Sequence, residues 1–304
     1  MFRIRIQNKK KCIWYCSAVV SFLLFLLLLG WTNHLANTQD AQQMAGRWSE
    51  KKDVAQISCF FSSKAEVTED TIQSFEYSLK NVLQEASITE TSENPSARLW
   101  VDAYSADGKI TLVNGKNTLD ANAIGIGGDF FMFHPLKLIT GAYFSGNDLM
   151  QDYCIIDQDA AWQLFGSNDV VGMTVYIGNV PHIVTGVVQR PDSRMDKAAG
   201  LNSAVVYVSY ETLSAYGTNN GINHYEIVMP NPVDEFAYGK VKEGIGIDEK
   251  NVEIVENSRR YSLPNRIKTI LAFGTRSMNG KAIIYPYWEN LARGYEDIIA
   301  LLTV

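Results

Sequence analysis

The chain contains 304 residues, 46% of them hydrophobic and 20% charged, and its formal net charge is −6. This length is enough for a membrane segment plus one large or two medium domains with hydrophobic cores. The acidic balance argues against nucleic acid as a partner and against electrostatic binding to anionic lipid.

The N-terminus contains an uncharged apolar run at residues 13–31, IWYCSAVVSFLLFLLLLGW. A helix rises about 1.5 Å per residue, so this run just crosses a hydrocarbon core of about 30 Å. The first 31 residues hold no acidic side chain and five basic ones, all ahead of the run: Arg3, Arg5, Lys9, Lys10 and Lys11. The positive-inside rule predicts that residues 1–12 are cytoplasmic and that the chain after Trp31 lies outside the cytoplasm.

A cleaved signal peptide is the alternative for this segment. Its apolar core is about 7–15 residues long and is followed by small residues at the cleavage site. Residues 13–31 form a longer run, and the following TNHLANTQDA contains no clean small-x-small site, so an uncleaved anchor is favoured. In both cases the bulk of the chain is exported. Without the five basic residues it holds 22 Lys and Arg against 33 Asp and Glu, a net charge of −11.

The exported part begins with a polar stretch, residues 32–53, which is interpreted as a stalk. The first predicted strand is 54–61, an apolar run bounded by polar clusters. A helix follows, with Thr68 as its N-cap and acidic residues in its first turn. Its apolar residues recur at helical spacing, which predicts one buried face.

Two glycine-containing segments come next. Residues 97–113 alternate around Asp107-Gly108, which predicts a β-hairpin that turns there. Residues 123–131, AIGIGGDFF, are interpreted as a glycine-rich turn. A phosphate-binding loop is the alternative at 125–129, but the Gly-Lys-Ser/Thr ending of such a loop is missing, so a turn that needs positive φ is favoured.

The middle of the chain repeats a strand followed by a short helix, at 153–166 and again at 203–217. Between them, residues 170–191 predict a second hairpin that turns at Gly178-Asn179. Three glycines are expected at structural turns, where positive φ or a close approach of the backbone is required: Gly166, Gly172 and Gly178.

The last predicted strands, 224–232 and 251–257, can complete the sheet that begins before residue 113. The predicted fold class is therefore α+β, with one N-terminal transmembrane helix followed by a two-lobed extracytoplasmic domain. The predicted exported regions are a split βαβ-type α+β lobe at 54–130 and 222–258, an inserted β-rich lobe at 131–221, and a C-terminal helical segment at 259–304 that leads towards a second span.

The sequence predicts no catalytic, cofactor-binding or metal-binding residue and no enzyme. Nucleophile-elbow, H-E-x-x-H and paired C-x-x-C motifs are absent. The histidines are far apart, and each is interpreted as a packed or surface residue: His34, His134, His182 and His224. One acidic group is interpreted as a solvated face, because the ligand spacing of a calcium loop is missing: Asp148, Asp152, Asp157 and Asp159. Cys59 is interpreted as a buried free thiol.

Residues 141–188 resemble the MacB-like periplasmic core domain of ABC transporter permeases of the MacB/FtsX type. The resemblance rests on four short pieces in a fixed order: Gly141 to Phe144, Leu164-Phe165-Gly166, Asp169 to Gly178, and Val184 to Val187. Residues 287–302 also resemble the amphipathic helix that leads into the second membrane span of the family. With the basic N-terminus and the first span, the resemblance covers almost the whole chain.

This resemblance implies a permease-type subunit or fragment of an ABC transport or mechanotransmission system. The expected partners are an ABC-type ATPase subunit, the remaining permease spans (directly or through another chain), membrane lipid and an unknown extracellular substrate. Family members have four membrane helices, whereas this sequence has one complete span. A gene fragment, a split permease and a stand-alone module remain open. The alternative function is a membrane-anchored extracytoplasmic binding module with no transport role, and no cofactor is expected.

Overall fold

The computed structural model describes residues 2–49, 53–89, 97–276 and 281–304, with side chains from residue 11 onwards. Residue 1 and three parts of the predicted domains lie outside the described residues: 50–52 of the stalk, 90–96 of the split lobe and 277–280 of the C-terminal segment.

Most helices are short, apart from the first, the third and the last. In chain order the α-helices are α1 (Phe2–Asn37), α2 (Met44–Trp48), α3 (Glu69–Glu85), α4 (Phe130–Phe133), α5 (Gln158–Phe165), α6 (Arg194–Ala199), α7 (Tyr210–Tyr216), α8 (Phe236–Gly244), α9 (Leu263–Leu271) and α10 (Tyr287–Thr303). Short 3-10 helices occur at Asp40–Gln42, Ser63–Ala65 and Asn257–Arg259.

The strands lie between these helices, singly or as two in succession. They are β1 (Val54–Phe61), β2 (Val101–Asn114), β3 (Asn117–Gly128), β4 (Lys137–Gly141), β5 (Tyr153–Asp157), β6 (Thr174–Ile177), β7 (Val180–Gln189), β8 (Val205–Ser209), β9 (Thr218–Asn219), β10 (His224–Pro230) and β11 (Val252–Glu256).

Helix α1 extends through and beyond the predicted membrane segment. Among the described residues, a single helical stretch, Lys11–Asn37, has the length and apolar character needed to cross a membrane. Nearly all side chains from Ile13 to Trp31 are exposed, as expected of a helix surrounded by lipid. The stretch after it, interpreted as a stalk, is partly helical, and Thr32 and Met44 are buried within it.

The strands join in one mixed sheet with the order β11-β1-β10-β2-β3-β8-β5-β7-β4, and β6 and β9 pair with β2 beside this path. Two neighbouring pairs run parallel in the described chain, β3 with β8 and β5 with β7. The predicted fold class is confirmed, since one apolar N-terminal helix precedes an α+β domain. The division into a split and an inserted lobe stays a prediction, and the strands of both regions belong to the same sheet.

In the part of the chain that the structure describes, three buried apolar clusters form the core. One lies between the sheet and helices α3 and α8 and includes Ile57, Phe75 and Tyr225. A second lies around β5, β7 and α5, where Leu164 is buried. In the third cluster, Trp288 of α10 packs with the phenylalanines of α4. The C-terminal helix is therefore part of the folded domain as well as a neighbour of α1.

Most of the local predictions are confirmed. Strand β1 has the predicted bounds, and Thr68 caps α3 in a reciprocal capping box with Thr71. The hairpin between β6 and β7 turns at Gly178-Asn179, where both residues have positive φ. Gly166 and Gly172 have φ of +72° and +82°.

The predicted hairpin at Asp107-Gly108 is wrong. Strand β2 continues through these residues, and the chain turns at Gly115-Lys116 instead. Gly108 pairs with Asn219 of β9, and a Cβ at Gly108 would lie 2.3 Å from the carbonyl oxygen of Thr218. The glycine is thus required for the close approach of β9.

The predicted glycine-rich turn at 123–131 is also wrong, because residues up to Gly128 belong to β3. A Cβ at Gly127 would lie 1.9 Å from Cζ of Tyr104, and a Cβ at Gly125 would overlap the side chain of Leu213. These two glycines leave room for the side chains of Tyr104 on β2 and Leu213 on α7, which pack against β3. Only at the end of the strand does Gly128 adopt a positive φ, +63°.

Candidate functional site

Helix α10 docks on the domain through its first turn. Its buried residues lie along one helical stripe, as in other amphipathic helices: Trp288, Glu289, Ala292, Ile299 and Ala300. The helix contacts α1, α9 and α6. Because α1 carries the candidate membrane span, α10 lies where the anchor meets the exported domain.

Trp288 inserts its ring into a group of aromatic side chains. Its ring centroid lies 5.6 Å from that of Phe130, 4.3 Å from that of His134 and 5.2 Å from that of His224. Tyr287 places its hydroxyl 3.3 Å from the hydroxyl of Tyr207 on β8. The first turn of α10 is thus held by aromatic contacts directly above two histidines.

The two histidines meet at a buried carboxylate. His224 and Glu226 lie on β10 two residues apart, so their side chains leave the same face of the strand. His134 follows α4 and places its Nε2 2.8 Å from Oε2 of Glu226, while Nε2 of His224 lies 3.6 Å from Oε1. All three residues are at most 4% exposed.

Strand β1 holds the other side of this carboxylate. Ser58 is paired with Glu226 across the sheet and donates its hydroxyl hydrogen to Oε1 of that residue. Gln56 donates to the same oxygen over 3.5 Å and accepts a hydrogen bond of 2.9 Å from the backbone N–H of Met44. Two neighbouring strands and the α2 segment therefore fix the position of Glu226.

Burial and charge determine the ionisation of this cluster. Burial lowers the pKa of His134, and the neighbouring carboxylate of Glu226 opposes this effect. Burial alone would raise the pKa of Glu226, but its interactions with His134 and His224 outweigh burial and hold that pKa well below its usual range. The carboxyl group of Glu226 is therefore held as an anion inside the domain.

Several polar atoms of the cluster have no directed hydrogen-bond partner among the described residues. They are both ring nitrogens of His134, Nε2 of His224, Oε2 of Glu226 and Nε1 of Trp288. Nε2 of His134 and Oε2 of Glu226 are nevertheless close, 2.8 Å apart. Buried polar atoms are almost always paired in native proteins, so this group is unusual.

A chain of hydrogen bonds links the cluster to α10. Asn257 donates to Oγ of Ser58 over 2.7 Å and accepts from Arg260 over 3.1 Å. Arg260 in turn donates two hydrogen bonds to Glu289 of α10, 2.7 and 2.8 Å long, and one to Glu296. Burial would raise the pKa of Glu289, but the Arg260 guanidinium outweighs it and lowers that pKa. A continuous polar network therefore connects the sheet with α10.

Helix α9 connects the same region to the anchor. Arg266 donates to Oγ1 of Thr32 over 3.0 Å and to Oδ1 of Asn33 over 3.1 Å. Thr32 is 1% exposed. An open cleft of about 750 Å³ lies beside this contact, lined by residues that include Asn33, Asn231 and Arg266. The end of α1 is thus attached to the domain through a few named side chains.

The structure departs from the expectations for individual residues at several points. His134 and His224 were expected to stand apart but lie together, whereas His34 and His182 lie elsewhere. The acidic group is not a common solvated face, because Asp157 is buried, caps α5 and binds Arg190 over 2.7 Å. In the described chain its members do not come together as a group of metal ligands. Cys59 is a buried free thiol, as predicted.

Comparison with known proteins identifies relatives of the exported region. Residues 21–254 match the family model of the MacB-like periplasmic core domain. The macrolide export ATP-binding/permease protein MacB of Chromobacterium violaceum is 32% identical over 99 residues, which is 32% of this chain and 15% of that protein. Its counterpart from Pasteurella multocida is 29% identical over 98 residues, 32% of this chain and 14% of that protein. The matches thus span about a seventh of these relatives.

Two solved structures are similar at low sequence identity. The periplasmic region of MacB from Actinobacillus actinomycetemcomitans has a TM-score of 0.44 and 20% identity, covering 71% of this chain and 92% of that one. The extracellular domain of the noncanonic ABC-type transporter YknZ from Gram-positive bacteria has a TM-score of 0.41 and 18% identity, covering 66% of this chain and 99% of that one.

Proposed function

Because the chain belongs to the family of MacB-like periplasmic core domains of ABC transporter permeases, we propose that it is a permease-type subunit, or part of one, in a mechanotransmission system. A separate ABC-type ATPase supplies the energy, and the exported domain engages a substrate or a protein partner. Residues 1–12 lie in the cytoplasm, α1 crosses the membrane, and the remaining spans come from the same or another chain. The curated relatives are ATP-binding/permease proteins, which supports an ATPase partner.

The attachment of α1 and α10 to the domain is the observation that carries this proposal. Arg266 holds the end of α1, and Arg260 holds α10 through Glu289. Removing one partner of a buried ion pair costs about 3–5 kcal/mol. We therefore expect α10 and the sheet to move as one body unless a displacement supplies an energy of that size. A displacement of the membrane helices is therefore transmitted to the exported domain rather than absorbed at the junction.

Affinity purification of the full chain from native membranes tests the proposal. An ABC-type ATPase should co-purify, and its ATP hydrolysis should depend on the presence of the chain. The matched control is an unrelated single-span membrane protein expressed at the same level and carrying the same tag.

Two results would count against it. Purification that repeatedly returns an envelope protein and no ATPase would favour the alternative, a membrane-anchored binding module. If an ATPase co-purifies but hydrolyses ATP at the same rate with and without the chain, the chain has no role in energy coupling.

A further inference from the structure

Two histidines and one carboxylate lie together beneath Trp288 and offer donor atoms of the kind that bind metal ions. We propose that His134, His224 and Glu226 bind a divalent transition-metal ion, best represented by Zn²⁺. This proposal is independent of the transport role, because it concerns a structural site inside the exported domain.

The donor set is the one that zinc uses. Two imidazole nitrogens and one carboxylate oxygen occur as the three protein ligands of many zinc sites, with a water molecule as the fourth ligand. Here the donor atoms of His134, His224 and Glu226 all lie within 4.8 Å of one another. Donors around a tetrahedral zinc ion are about 3.3 Å apart, given bonds of about 2.0–2.1 Å. Nε2 of His134 lies 2.8 Å from Oε2 of Glu226, and Nε2 of His224 lies 3.6 Å from Oε1, the other oxygen of the same carboxylate.

The surroundings of the ligands also fit a metal site. Oγ of Ser105 lies 3.3 Å from Nδ1 of His224, which orients the ring and leaves Nε2 free for a metal ion. Ser58 and Gln56 hydrogen-bond the carboxylate of Glu226, as expected of the second shell of a metal site. Among the described residues, neither ring nitrogen of His134 has a directed hydrogen-bond partner, so a metal ion would satisfy one of them.

The ion would connect parts of the domain that are distant in sequence. His134 ends the α4 segment, whereas His224 and Glu226 belong to β10, a strand inside the sheet between β1 and β2. The ring of Trp288 covers both histidines. A bound ion would therefore stiffen the surface on which the first turn of α10 docks.

Zinc binding to the purified full chain in detergent tests this site. The protein is prepared without a histidine tag, treated with a chelator and titrated with Zn²⁺, and metal content is measured after removal of excess ion. Cys12 and Cys16 are exposed thiols that could bind zinc, so both are replaced by Ser in every sample. About one zinc ion per chain is expected, together with a rise in the melting temperature.

Two variants should lose the ion, His134→Gln and Glu226→Gln, the second of which keeps the shape of the side chain. The matched control is His182→Gln, another buried histidine, whose ring contacts Val180 and Thr212 instead of the cluster. The control should bind zinc as the parent does. Zinc retained by both cluster variants, or no zinc bound by the folded parent, would overturn the proposal.

If the cluster variants do not fold, X-ray absorption of the zinc-loaded parent identifies the ligand atoms and tests the site directly. Two imidazole ligands, oxygen donors and no sulfur are expected. A spectrum with sulfur ligands or without imidazole would reject the site, because every donor proposed here is nitrogen or oxygen.

Discussion

Arg260 and Glu289 form a bidentate ion pair, with hydrogen bonds of 2.7 and 2.8 Å, in which both side chains are at most 2% exposed. Arg293 adds a third hydrogen bond to the same carboxylate over 2.7 Å. Of the ion pairs described between α10 and the segment that follows the sheet, this one is the most deeply buried. Its position makes α10 a fixed part of the domain.

Glu289→Gln should destabilise the protein by about 3 kcal/mol, because it leaves the buried charge of Arg260 incompletely compensated. The NH2 group of the new glutamine would also face the N–H donors of the Arg260 guanidinium, which cannot accept a hydrogen bond. Thermal unfolding of the full chain in detergent measures the effect. Glu243→Gln is the matched control, since Glu243 forms an exposed pair with Lys240, and such pairs contribute about 0–1 kcal/mol. Equal melting temperatures for the two variants would show that the buried pair does not hold α10.

Gly108→Ala should destabilise the domain by about 1–3 kcal/mol, because the added Cβ would overlap the backbone of β9. Gly46→Ala is the control, as no atom of the described residues lies within 4 Å of the corresponding Cβ and the residue is inside α2. That change should be neutral or slightly stabilising. Both effects are measured by thermal unfolding. A neutral Gly108→Ala would mean that β9 does not pack against β2 as described.

Local signals in the sequence were sufficient for most elements of the fold. The cap at Thr68, the apolar run of β1 and the Gly178-Asn179 turn are each determined by a few neighbouring residues. Gly108 and Gly127 misled the prediction because their neighbours in space, Thr218 and Tyr104, are distant in sequence. A glycine selected for close packing has the same local pattern as a glycine selected for a turn.

The candidate site could not be predicted for the same reason. Glu226 is a charged residue in an apolar strand, which was the one local sign of a buried polar group. Its partners His134, Ser58 and Asn257 come from other parts of the chain, and only the sheet register brings them together. Trp288 and Glu289 belong to the stretch that resembles an amphipathic helix leading into a second span, and the sequence did not indicate that both side chains are buried in the domain.

The carboxyl group of Glu76 on α3 should make stability depend on pH. Burial and the neighbouring Asp102 raise the pKa of Glu76 from 4.5 to about 8, and Tyr225 donates a hydrogen bond to Asp102 over 2.8 Å. A raised pKa means that the folded state holds the proton more tightly than the unfolded state. The stabilisation is complete below about pH 4.5 and is lost as the pH rises towards 8.

This dependence is tested by melting temperatures of the parent and of Glu76→Gln at several pH values between 5 and 8. The pKa of Glu76 in the unfolded and folded states sets this pH window. The variant should lose less stability than the parent as the pH rises, because its amide does not titrate. Glu85→Gln, at an exposed position on the same helix, is the control and should follow the parent. Parallel curves for all three proteins would contradict the assignment to Glu76.

Arg266 should control how firmly the end of α1 is held to the domain. Its two terminal nitrogens bind Thr32 and Asn33 separately, a geometry that a lysine ammonium cannot reproduce. Hydrogen bonds to charged groups contribute about 1.5–3 kcal/mol each, so Arg266→Gln and Arg266→Lys should both loosen this contact.

Hydrogen exchange of the backbone amides at 32–38 in the full chain should accelerate in both variants, while the amides of β1 keep their protection. Lys268→Gln, at an exposed position of α9, is the matched control and should leave exchange unchanged. If exchange at 32–38 is the same in all four proteins, Arg266 does not couple the anchor to the domain, and the motion of α1 must reach the sheet through the packing of α1 on α10.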